Sequence, residues 1–300
     1  MGRQFFTLDV FTDTALQGNP LAVVLDAEGL SDSRMQAIAG EFNLSETVFV
    51  FEPRDPVNTA RARIFTPGRE LPFAGHPTVG TACLVAQLRA PSLLATQDLR
   101  VVLEEGVGDV VCLVRRRPGQ GLAATFDLPR LPERLPDPLP PAAAIASAFG
   151  LTQDDVGFAA HRPALFTAGA PFLFVPLGSA DAIRRARPGA VAWPESPGPA
   201  ALLYSREVER PGSAFHARMF AGGWGVTEDP ATGSAAAAFA GVMMAFEPPR
   251  DGETTLVIEQ GFEMGRPSLI ALTMTVEGGA LAAASIGGSA VIVSTGTLDL

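Results

Sequence analysis

The sequence predicts a mixed α/β protein built from two similar halves, and three observations predict it. Strand and helix signals alternate along the chain, a short motif recurs at a nearly constant offset, and a proline-rich stretch separates the two copies. The chain has 300 residues, enough for two domains of ordinary size. With 47% hydrophobic and 18% charged residues, it has the material for packed cores and does not resemble a disordered chain.

The N-terminal part alternates short apolar strands with a capped helix. Residues 5–10 and 21–25 are apolar runs of strand length. Ser31 and Asp32 supply the start of a helix that ends near Asn43 and carries Met35, Ile38, Ala39 and Phe42 on one face. The β-forming run Thr-Val-Phe-Val-Phe, which starts at Thr47, predicts a further strand. Glu46 therefore lies at a junction between a helix and a strand.

An internal repeat supports the two-half organisation. Residues 62–65 (ARIF) recur as residues 217–220 (ARMF), and residues 78–82 (TVGTA) are echoed by residues 232–235 (TGSA), at offsets of 155 and 154. A chance match between common small residues is the alternative explanation. Each copy continues into a segment that is apolar on all sides, as expected of a buried helix. We therefore predict that each half runs from strand to loop to a buried central helix.

The domain boundaries are predicted from a run of prolines, namely Pro129, Pro132, Pro136, Pro138, Pro140 and Pro141. Closely spaced X-Pro steps disfavour helix and suit a connection between domains. We predict that residues 1–128, with about 286–300, form the first half. Residues 129–285 are predicted to form the second half, with the active-site cleft between the two.

Charge and residue usage exclude several function classes. The net charge of −10 argues against nucleic acid or an anionic membrane as partner. All 22 basic residues are arginine, which excludes a lysine Schiff base with pyridoxal phosphate and a P-loop lysine. Two cysteines and three histidines are too few for a cysteine-rich zinc site, and no apolar stretch has the length of a membrane span. We expect a cytoplasmic protein that needs no metal or cofactor.

The starts of the two predicted buried helices are candidate anion-binding sites. Gly75 and Pro77 flank His76 in the first half, and Gly233 and Ser234 occupy the matching place in the second. Proline suits the first helical position, and free backbone N–H groups at a helix N-terminus attract an anion such as a carboxylate. Glycine and serine are also ordinary residues at a helix start, so a purely structural role stays open.

Glu46 and Asp229 are candidate acid–base or polar site residues. A carboxyl group placed among apolar neighbours gives up its proton less readily, which suits a general acid. Each candidate also has an ordinary explanation: Glu46 as a solvated loop residue, Asp229 as a turn residue before Pro230, and His76 as a structural imidazole. Cys83 lies inside the first predicted central helix and is expected to be a core residue.

Taken in order, the motifs resemble the PhzF-like phenazine biosynthesis family. They are residues 17–24 (QGNPLAVV), 43–47 (NLSET), 63–67 (RIFTP), 70–78 (ELPFAGHPT), 228–235 (EDPATGSA), 260–261 (QG), 265–268 (GRPS) and 287–288 (GG). The resemblance runs from near residue 9 to near residue 300. It implies a diaminopimelate-epimerase-like fold, in which each half is a curled, mostly antiparallel sheet around a central helix and the site lies in the cleft.

The resemblance also implies an activity and its residues. The best-known member of the family is a cofactor-free isomerase that moves a proton along a cyclic dienoic amino acid. The family's catalytic motif residues map to Glu46, His76, Asp229 and Ser234. We expect Asn19, Gly75 and Gly233 to contact the substrate, a small carboxylic acid. Homodimerisation is expected from the family and from the frequency of homodimers in general.

Two other functions remain open from the sequence. A protein that keeps the cleft but has no turnover would only bind a small acid. A racemase or epimerase without paired cysteines would use Glu46 and Asp229 as its two bases. Related amino-acid epimerases carry a cysteine at each helix start, where this chain has His76 and Ser234, so a two-thiol racemase is not expected.

Overall fold

The computed structural model describes residues 2–117, 121–136, 139–189, 191, 200–221 and 227–299. The chain divides into two compact units, Met1–Pro129 with Gly287–Leu300 and Arg130–Ile286. Residues 137 and 138 of the proline-rich stretch lie outside the described residues. In each unit, a mostly antiparallel sheet packs against one long buried helix.

The elements of the first unit are β1 (Arg3–Val10), β2 (Asn19–Val24), α1 (Asp32–Phe42), β3 (Glu46–Phe51), β4 (Ala60–Phe65), β5 (Glu70–Leu71), α2 (Gly75–Arg89), α3 (Pro91–Leu94), β6 (Leu99–Glu105), β7 (Gly108–Arg117) and β8 (Gly121–Asp127). The second unit holds β9 (Glu133–Arg134), α4 (Ala142–Ala148), β10 (Ala164–Thr167), β11 (Pro171–Pro176), α5 (Ala180–Arg185), β12 (Ala200–Ser205), β13 (Phe215–Phe220), β14 (Glu228–Asp229), α6 (Gly233–Phe246), β15 (Gly252–Gln260) and β16 (Ser268–Glu277). The last strand, β17 (Ala280–Leu298), pairs with β1 in antiparallel register.

The predicted capping of α1 is confirmed. The Ser31 hydroxyl accepts a hydrogen bond from the Arg34 backbone N–H at 3.2 Å, which satisfies one of the free donors of the first turn. Asn43 ends the helix in the left-handed conformation (φ 51°), which asparagine adopts more readily than most residues. This stop places Glu46, three residues later, at the first position of β3.

The two apolar segments form buried helices, as predicted. Every residue of α2 from Gly75 to Ala86 is buried, and α6 is buried along most of its length. A glycine in each helix allows a neighbour to approach closely. A Cβ at Gly80 would lie 2.6 Å from Leu21 Cδ2, and one at Gly241 would lie 2.5 Å from Phe166 Cδ1. A side chain at either position would force these neighbours or the helix to shift.

The same strand pairing occurs in both units. In the first unit, β4 is antiparallel to β3 and parallel to β6, and β3 is parallel to β2. In the second, β13 is antiparallel to β12 and parallel to β15, and β12 is parallel to β11. The strands β2 to β7 therefore correspond to β11 to β16, which supports an internal duplication.

The structure corrects part of the predicted repeat. The offset of 155 holds for β4 and β13, but α2 and α6 begin at residues 75 and 233, an offset of 158. The loop from β13 to β14 is three residues longer than the loop from β4 to β5, which accounts for the change. Thr78 is thus inside α2 whereas Thr232 precedes α6, so the second predicted match was wrong.

Pro77 is the third residue of α2, and its predicted place at the first helical position was wrong. The physical reason for tolerating proline still applies at the observed position. The N–H groups of the whole first helical turn lack partners within the helix, so a proline there loses no hydrogen bond.

Candidate active site

The first unit brings two predicted site residues together. Glu46 starts β3 and His76 is the second residue of α2. Glu46 Oε2 lies 3.5 Å from His76 Nε2, and the two side chains are 16% and 5% exposed. The Asn-Leu-Ser-Glu-Thr and Gly-His-Pro-Thr motifs, far apart in sequence, thus place a carboxyl group beside an imidazole.

His76 is held as a neutral imidazole. Burial lowers its pKa to about 3, although a hydrogen bond to the Pro20 carbonyl opposes the shift. Its Nε2 makes no hydrogen bond within the described residues, so the ring N–H that the Pro20 carbonyl accepts is the one on Nδ1. Nε2 therefore carries a lone pair facing Glu46. Because His76 is neutral, the contact is not an ion pair, and only a protonated Glu46 could donate a hydrogen bond to Nε2.

Asn19 and Gly75 directly precede Pro20 and His76, the two residues joined by the hydrogen bond described above. Asn19 is fully buried at the start of β2, opposite Val10 and directly before Pro20. The preceding Gly18 has φ 68°, and a Cβ there would lie 2.4 Å from the Val10 carbonyl oxygen. Gly75 is the first residue of α2, so its backbone N–H has no acceptor within the helix.

The second unit places Gly233 and Ser234 at the start of α6. The first helical hydrogen bond runs from the Ala236 N–H to the Thr232 carbonyl at 3.0 Å. The N–H groups of Gly233 and Ser234 precede this first donor and therefore have no acceptor within the helix. N–H groups of this kind at a helix N-terminus can bind an anion. Asp229 ends β14 four residues before this helix.

Two residues that the sequence did not single out hold Asp229 in place. The Thr232 hydroxyl donates to Asp229 Oδ2 at 2.5 Å. The buried Gln260 donates from Nε2 to the Asp229 carbonyl at 2.7 Å and to Thr232 Oγ1 at 3.1 Å, and its Oε1 accepts from the Thr232 N–H. In the sequence, only the Gln-Gly motif pointed to Gln260. Its contact with Asp229 could not be predicted, because the register of β15 brings the two residues together.

Gly261, the next residue, explains the second half of that motif. Its backbone is left-handed, with φ 79°. A Cβ there would lie 2.6 Å from the Pro230 carbonyl oxygen and 2.5 Å from the Arg266 carbonyl oxygen. Only glycine fits where these two backbone segments converge.

The remaining thiols and imidazoles have structural surroundings. Cys83 and Cys112 are buried, and burial raises the pKa of Cys83 to about 12, so neither suits a thiolate role. His161 contacts the Tyr204 hydroxyl at 2.9 Å. Burial opposes protonation of His216, but its hydrogen bonds with Glu259 and Glu263 outweigh burial and raise its pKa to about 9.

The described residues contain neither a metal-binding cluster nor a membrane-spanning helix. Across these residues, no group of three or more histidine, cysteine, aspartate or glutamate side chains is placed to hold a metal ion. Within the same ranges, no helix combines the length and the hydropathy that crossing a membrane requires.

Comparison with known proteins gives matches over nearly the whole chain. Residues 8–296 match the family described as phenazine biosynthesis-like protein. The chain is 50% identical to an uncharacterized isomerase of Mesorhizobium japonicum, covering 99% of this chain and 98% of that protein. It is 34% identical to the trans-2,3-dihydro-3-hydroxyanthranilate isomerase of Pseudomonas fluorescens, covering 99% and 100%. A PhzF-family phenazine biosynthesis protein from Bacillus anthracis has the same fold, with a TM-score of 0.88, 27% identity and full coverage of both chains.

The fold and these relatives show the class of protein: it is an isomerase with a mixed α/β, epimerase-like fold. The chain belongs to the phenazine biosynthesis-like, or PhzF, family. The fold class and the family predicted from the sequence motifs are therefore confirmed.

Proposed function

We propose that the protein catalyses a cofactor-independent proton transfer in a small cyclic or unsaturated carboxylic acid, with Glu46 as the general acid–base group. The observation that carries the proposal is the 3.5 Å approach of Glu46 Oε2 to Nε2 of the buried, neutral His76. A neutral imidazole accepts a hydrogen bond from a carboxylic acid and leaves no positive charge to trap the carboxylate form. Glu46 can therefore alternate between base and acid in one catalytic cycle.

The proposed reaction balances without an added reactant. Ionised Glu46 removes a proton from a carbon next to the conjugated system, and the C–H electron pair enters that system. The double bonds shift, and protonated Glu46 returns the proton to another carbon. His76 Nε2 accepts a hydrogen bond from Glu46 while it holds the proton, which orients the acid for the second transfer. A positioned general base typically contributes about 10²–10⁴-fold.

The other site residues bind the same substrate molecule in this proposal. The N–H groups of Gly233 and Ser234, with the Ser234 hydroxyl, bind the substrate carboxylate. Asp229, fixed by Thr232 and Gln260, accepts a hydrogen bond from an amine or hydroxyl of the substrate. Further substrate contacts come from two residues beside His76 in the first unit, Asn19 and Gly75.

The relative from Pseudomonas fluorescens supplies a first substrate to test, because its name specifies a cyclic, unsaturated hydroxy amino acid. We propose substrates of that chemical class for this chain. A cytoplasmic location and a homodimeric assembly are part of the same proposal.

The deciding experiment measures deuterium incorporation and isomer formation in D₂O. The protein is incubated with trans-2,3-dihydro-3-hydroxyanthranilate and a set of small unsaturated acids, beside Glu46→Gln and the control Glu41→Gln. Glu41 is exposed on α1, so Glu41→Gln makes the same change of side chain and charge as Glu46→Gln. We expect the control to keep wild-type turnover and Glu46→Gln to lose about 10²–10⁴-fold.

Three other outcomes would contradict the proposal. Full turnover by Glu46→Gln would remove Glu46 from the mechanism. Inversion at a single carbon without a double-bond shift would identify a racemase or epimerase with Glu46 and Asp229 as bases. Binding of a small acid without exchange, unaffected by Glu46→Gln, would identify a binding protein.

A further inference from the structure

The Thr78 hydroxyl, one turn into α2, contacts two oxygen atoms but has a single proton. Its Oγ1 lies 2.8 Å from the Ala74 carbonyl oxygen and 2.8 Å from Glu105 Oε1. The Ala74 carbonyl can only accept, and threonine in a helix commonly donates to the carbonyl four residues earlier. With the hydroxyl proton on that bond, the contact with Glu105 is a hydrogen bond only if Glu105 carries a proton and donates to Thr78.

The surroundings of Glu105 favour this protonated form. The residue is 9% exposed, and its Oε2 makes no hydrogen bond within the described part of the chain. Burial raises its pKa to about 8, and only a hydrogen bond donated by Thr78 to the carboxylate would oppose that shift. An ionised carboxylate with one hydrogen bond in such a place would be strongly disfavoured.

Within the described residues, no cation offsets the burial of Glu105. Burial keeps Cys112 on β7 and Cys83 and His76 on α2 uncharged. The charged side chains described on the same two elements, Asp109, Arg115 and Arg116 on β7 and Arg89 on α2, are exposed. Arg61 on β4 is paired in register with Glu104, whose side chain points to the opposite face of β6.

The internal duplication gives independent support. Arg61 of β4 pairs with Glu104 of β6, and His216 of β13 pairs with Glu259 of β15. The following residues, Glu105 and Gln260, are therefore equivalent positions of the two units, again at an offset of 155.

Gln260, at the equivalent strand position of the second unit, is a neutral donor to a threonine hydroxyl. It donates to Thr232 Oγ1, and the Thr232 hydroxyl in turn donates to Asp229. Thr232 precedes α6 whereas Thr78 lies inside α2, so the shared feature is the neutral donor on the strand. A protonated Glu105 would likewise donate to the Thr78 hydroxyl, and that hydroxyl donates to the Ala74 carbonyl at the start of α2.

We propose that Glu105 is a positioning residue for the isomerase reaction proposed above, held as a neutral carboxylic acid that acts through Thr78 and Ala74 on the turn carrying Gly75 and His76. Ionisation of Glu105 would turn the Thr78 hydroxyl towards the carboxylate and take one hydrogen bond from the Ala74 carbonyl. The proposal therefore sets an alkaline limit to activity, with a midpoint near the pH where Glu105 ionises.

The first test does not depend on turnover. Infrared difference spectra of wild type minus Glu105→Gln, recorded from pH 6 to pH 10, report the carboxyl group of Glu105 directly. We expect a protonated-carboxyl C=O band at neutral pH that disappears with a midpoint near pH 8. A carboxylate band at pH 7 would overturn the proposal whether or not the protein has the proposed isomerase activity.

The second test separates positioning from mere filling of space. Glu105→Gln keeps a neutral donor and copies the residue that the chain uses at Gln260, whereas Glu105→Met keeps the size and removes the donor. We expect Glu105→Gln to keep kcat within roughly twofold at pH 7 and to lose the alkaline fall, and Glu105→Met to lower kcat roughly tenfold through misplacement of His76. Equal kcat and pH profiles for the two variants would overturn the positioning role.

Two variants of Thr78 on α2 provide a control that leaves Glu105 in place. Thr78→Ser keeps the hydroxyl between Glu105 and the Ala74 carbonyl and should behave as wild type. Thr78→Val removes this hydroxyl at nearly constant volume and should reproduce the kcat of Glu105→Met. Nitrogen-15 spectra of the His76 imidazole, recorded without substrate, should change in Thr78→Val and Glu105→Met only. An unchanged imidazole signal in both would overturn the proposal and leave the assignment of Glu46 untouched.

Discussion

His76 and Ser234 occupy the same position in the two units: each is the second residue of the buried central helix. The duplicated scaffold thus presents two similar helix starts with different chemistry. One carries a neutral imidazole beside Glu46, and the other carries a hydroxyl. The register position of Glu46 on β3, opposite Leu21, corresponds on β12 to Ala200, opposite Phe172. The contact between Glu46 and His76 therefore has no counterpart at the equivalent position of β12, which is an alanine.

Ser234→Ala should weaken substrate binding more than it slows the chemistry. The hydroxyl is proposed to bind the substrate carboxylate, and a hydrogen bond to a charged group is worth about 1.5–3 kcal/mol. We expect KM to rise about 10–100-fold with kcat changed only slightly, measured by steady-state kinetics. Unchanged KM in this variant would exclude the hydroxyl from carboxylate binding.

His76 and His216 should titrate in separate pH ranges. Nitrogen-15 spectra should show His76 neutral, with the proton on Nδ1, throughout the range above about pH 4, because its pKa is lowered to about 3. His216 should be doubly protonated at pH 7 and lose its proton near pH 9. Assignment uses His76→Asn and His216→Asn. A doubly protonated His76 at pH 7 would contradict the neutral pair with Glu46.

The raised pKa of His216 also fixes the sign of a stability change with pH. A histidine in the unfolded chain titrates at about pH 6.5. Between that value and about pH 9, the folded chain therefore binds a proton on His216 that the unfolded chain has lost. The stabilisation is fully present below pH 6.5 and is lost as the pH rises through 9. Glu105, with its folded pKa raised to about 8, acts in the same direction from about pH 4.5 upwards. Urea midpoints should therefore fall from pH 6.5 to pH 9, and a rise across that range would contradict both shifts.

Gly261→Ala should be more damaging than Gly265→Ala. Both glycines are left-handed, with φ 79° and 68°, and they flank the same short 3-10 helix, Phe262–Met264. A Cβ at Gly265 meets nothing within 4 Å, so that variant should lose only the roughly 1–2 kcal/mol of left-handed strain. Gly261→Ala adds clashes with two carbonyl oxygens and should lose about 1–3 kcal/mol more, measured by urea unfolding.

Activity provides a second measure of the same pair. One of the carbonyls that crowds Gly261 belongs to Pro230, the neighbour of Asp229. Gly261→Ala should therefore lower turnover while Gly265→Ala keeps it. Equal stability and turnover in the two variants would show that close approach does not explain the glycine at 261.

Arg218 and Arg63 form a second matched pair across the duplication. Each arginine binds a glutamate on the next short strand, Glu228 and Glu70 respectively. The Arg218 side chain is 7% exposed and also donates to two backbone carbonyls, whereas Arg63 is 24% exposed and its glutamate 41%.

Arg218→Met should cost about 3–5 kcal/mol of the free energy of unfolding, because it leaves the Glu228 carboxylate, only 12% exposed, without its partner. The control Arg63→Met should cost about 1 kcal/mol or less, as is usual for exposed pairs. Urea unfolding at one pH measures both changes. A similar cost for the two variants would show that burial does not set the strength of these pairs.

Local features of the fold were readable from the sequence because neighbouring residues decide them. The Ser31 cap, the stop at Asn43 and the strand that follows Glu46 match the structure. The helix starts were less predictable. The motif match at Thr78 and Thr232 failed because a three-residue difference in the preceding loop shifts the helix, and small residues are too common to fix an alignment.

The sequence by itself determined the family, the two-part α/β fold and the residue types available for chemistry, since ordered motifs and apolar periodicity are properties of the chain. It did not determine the partners of those residues. Gln260 and Glu105 reach the helix starts only through strand register, from 28 and 27 residues away. Tertiary structure also decided the protonation of His76, because desolvation and the Pro20 carbonyl act through space. The chemistry of this site therefore depends on burial and on hydrogen-bond partners that local sequence does not encode.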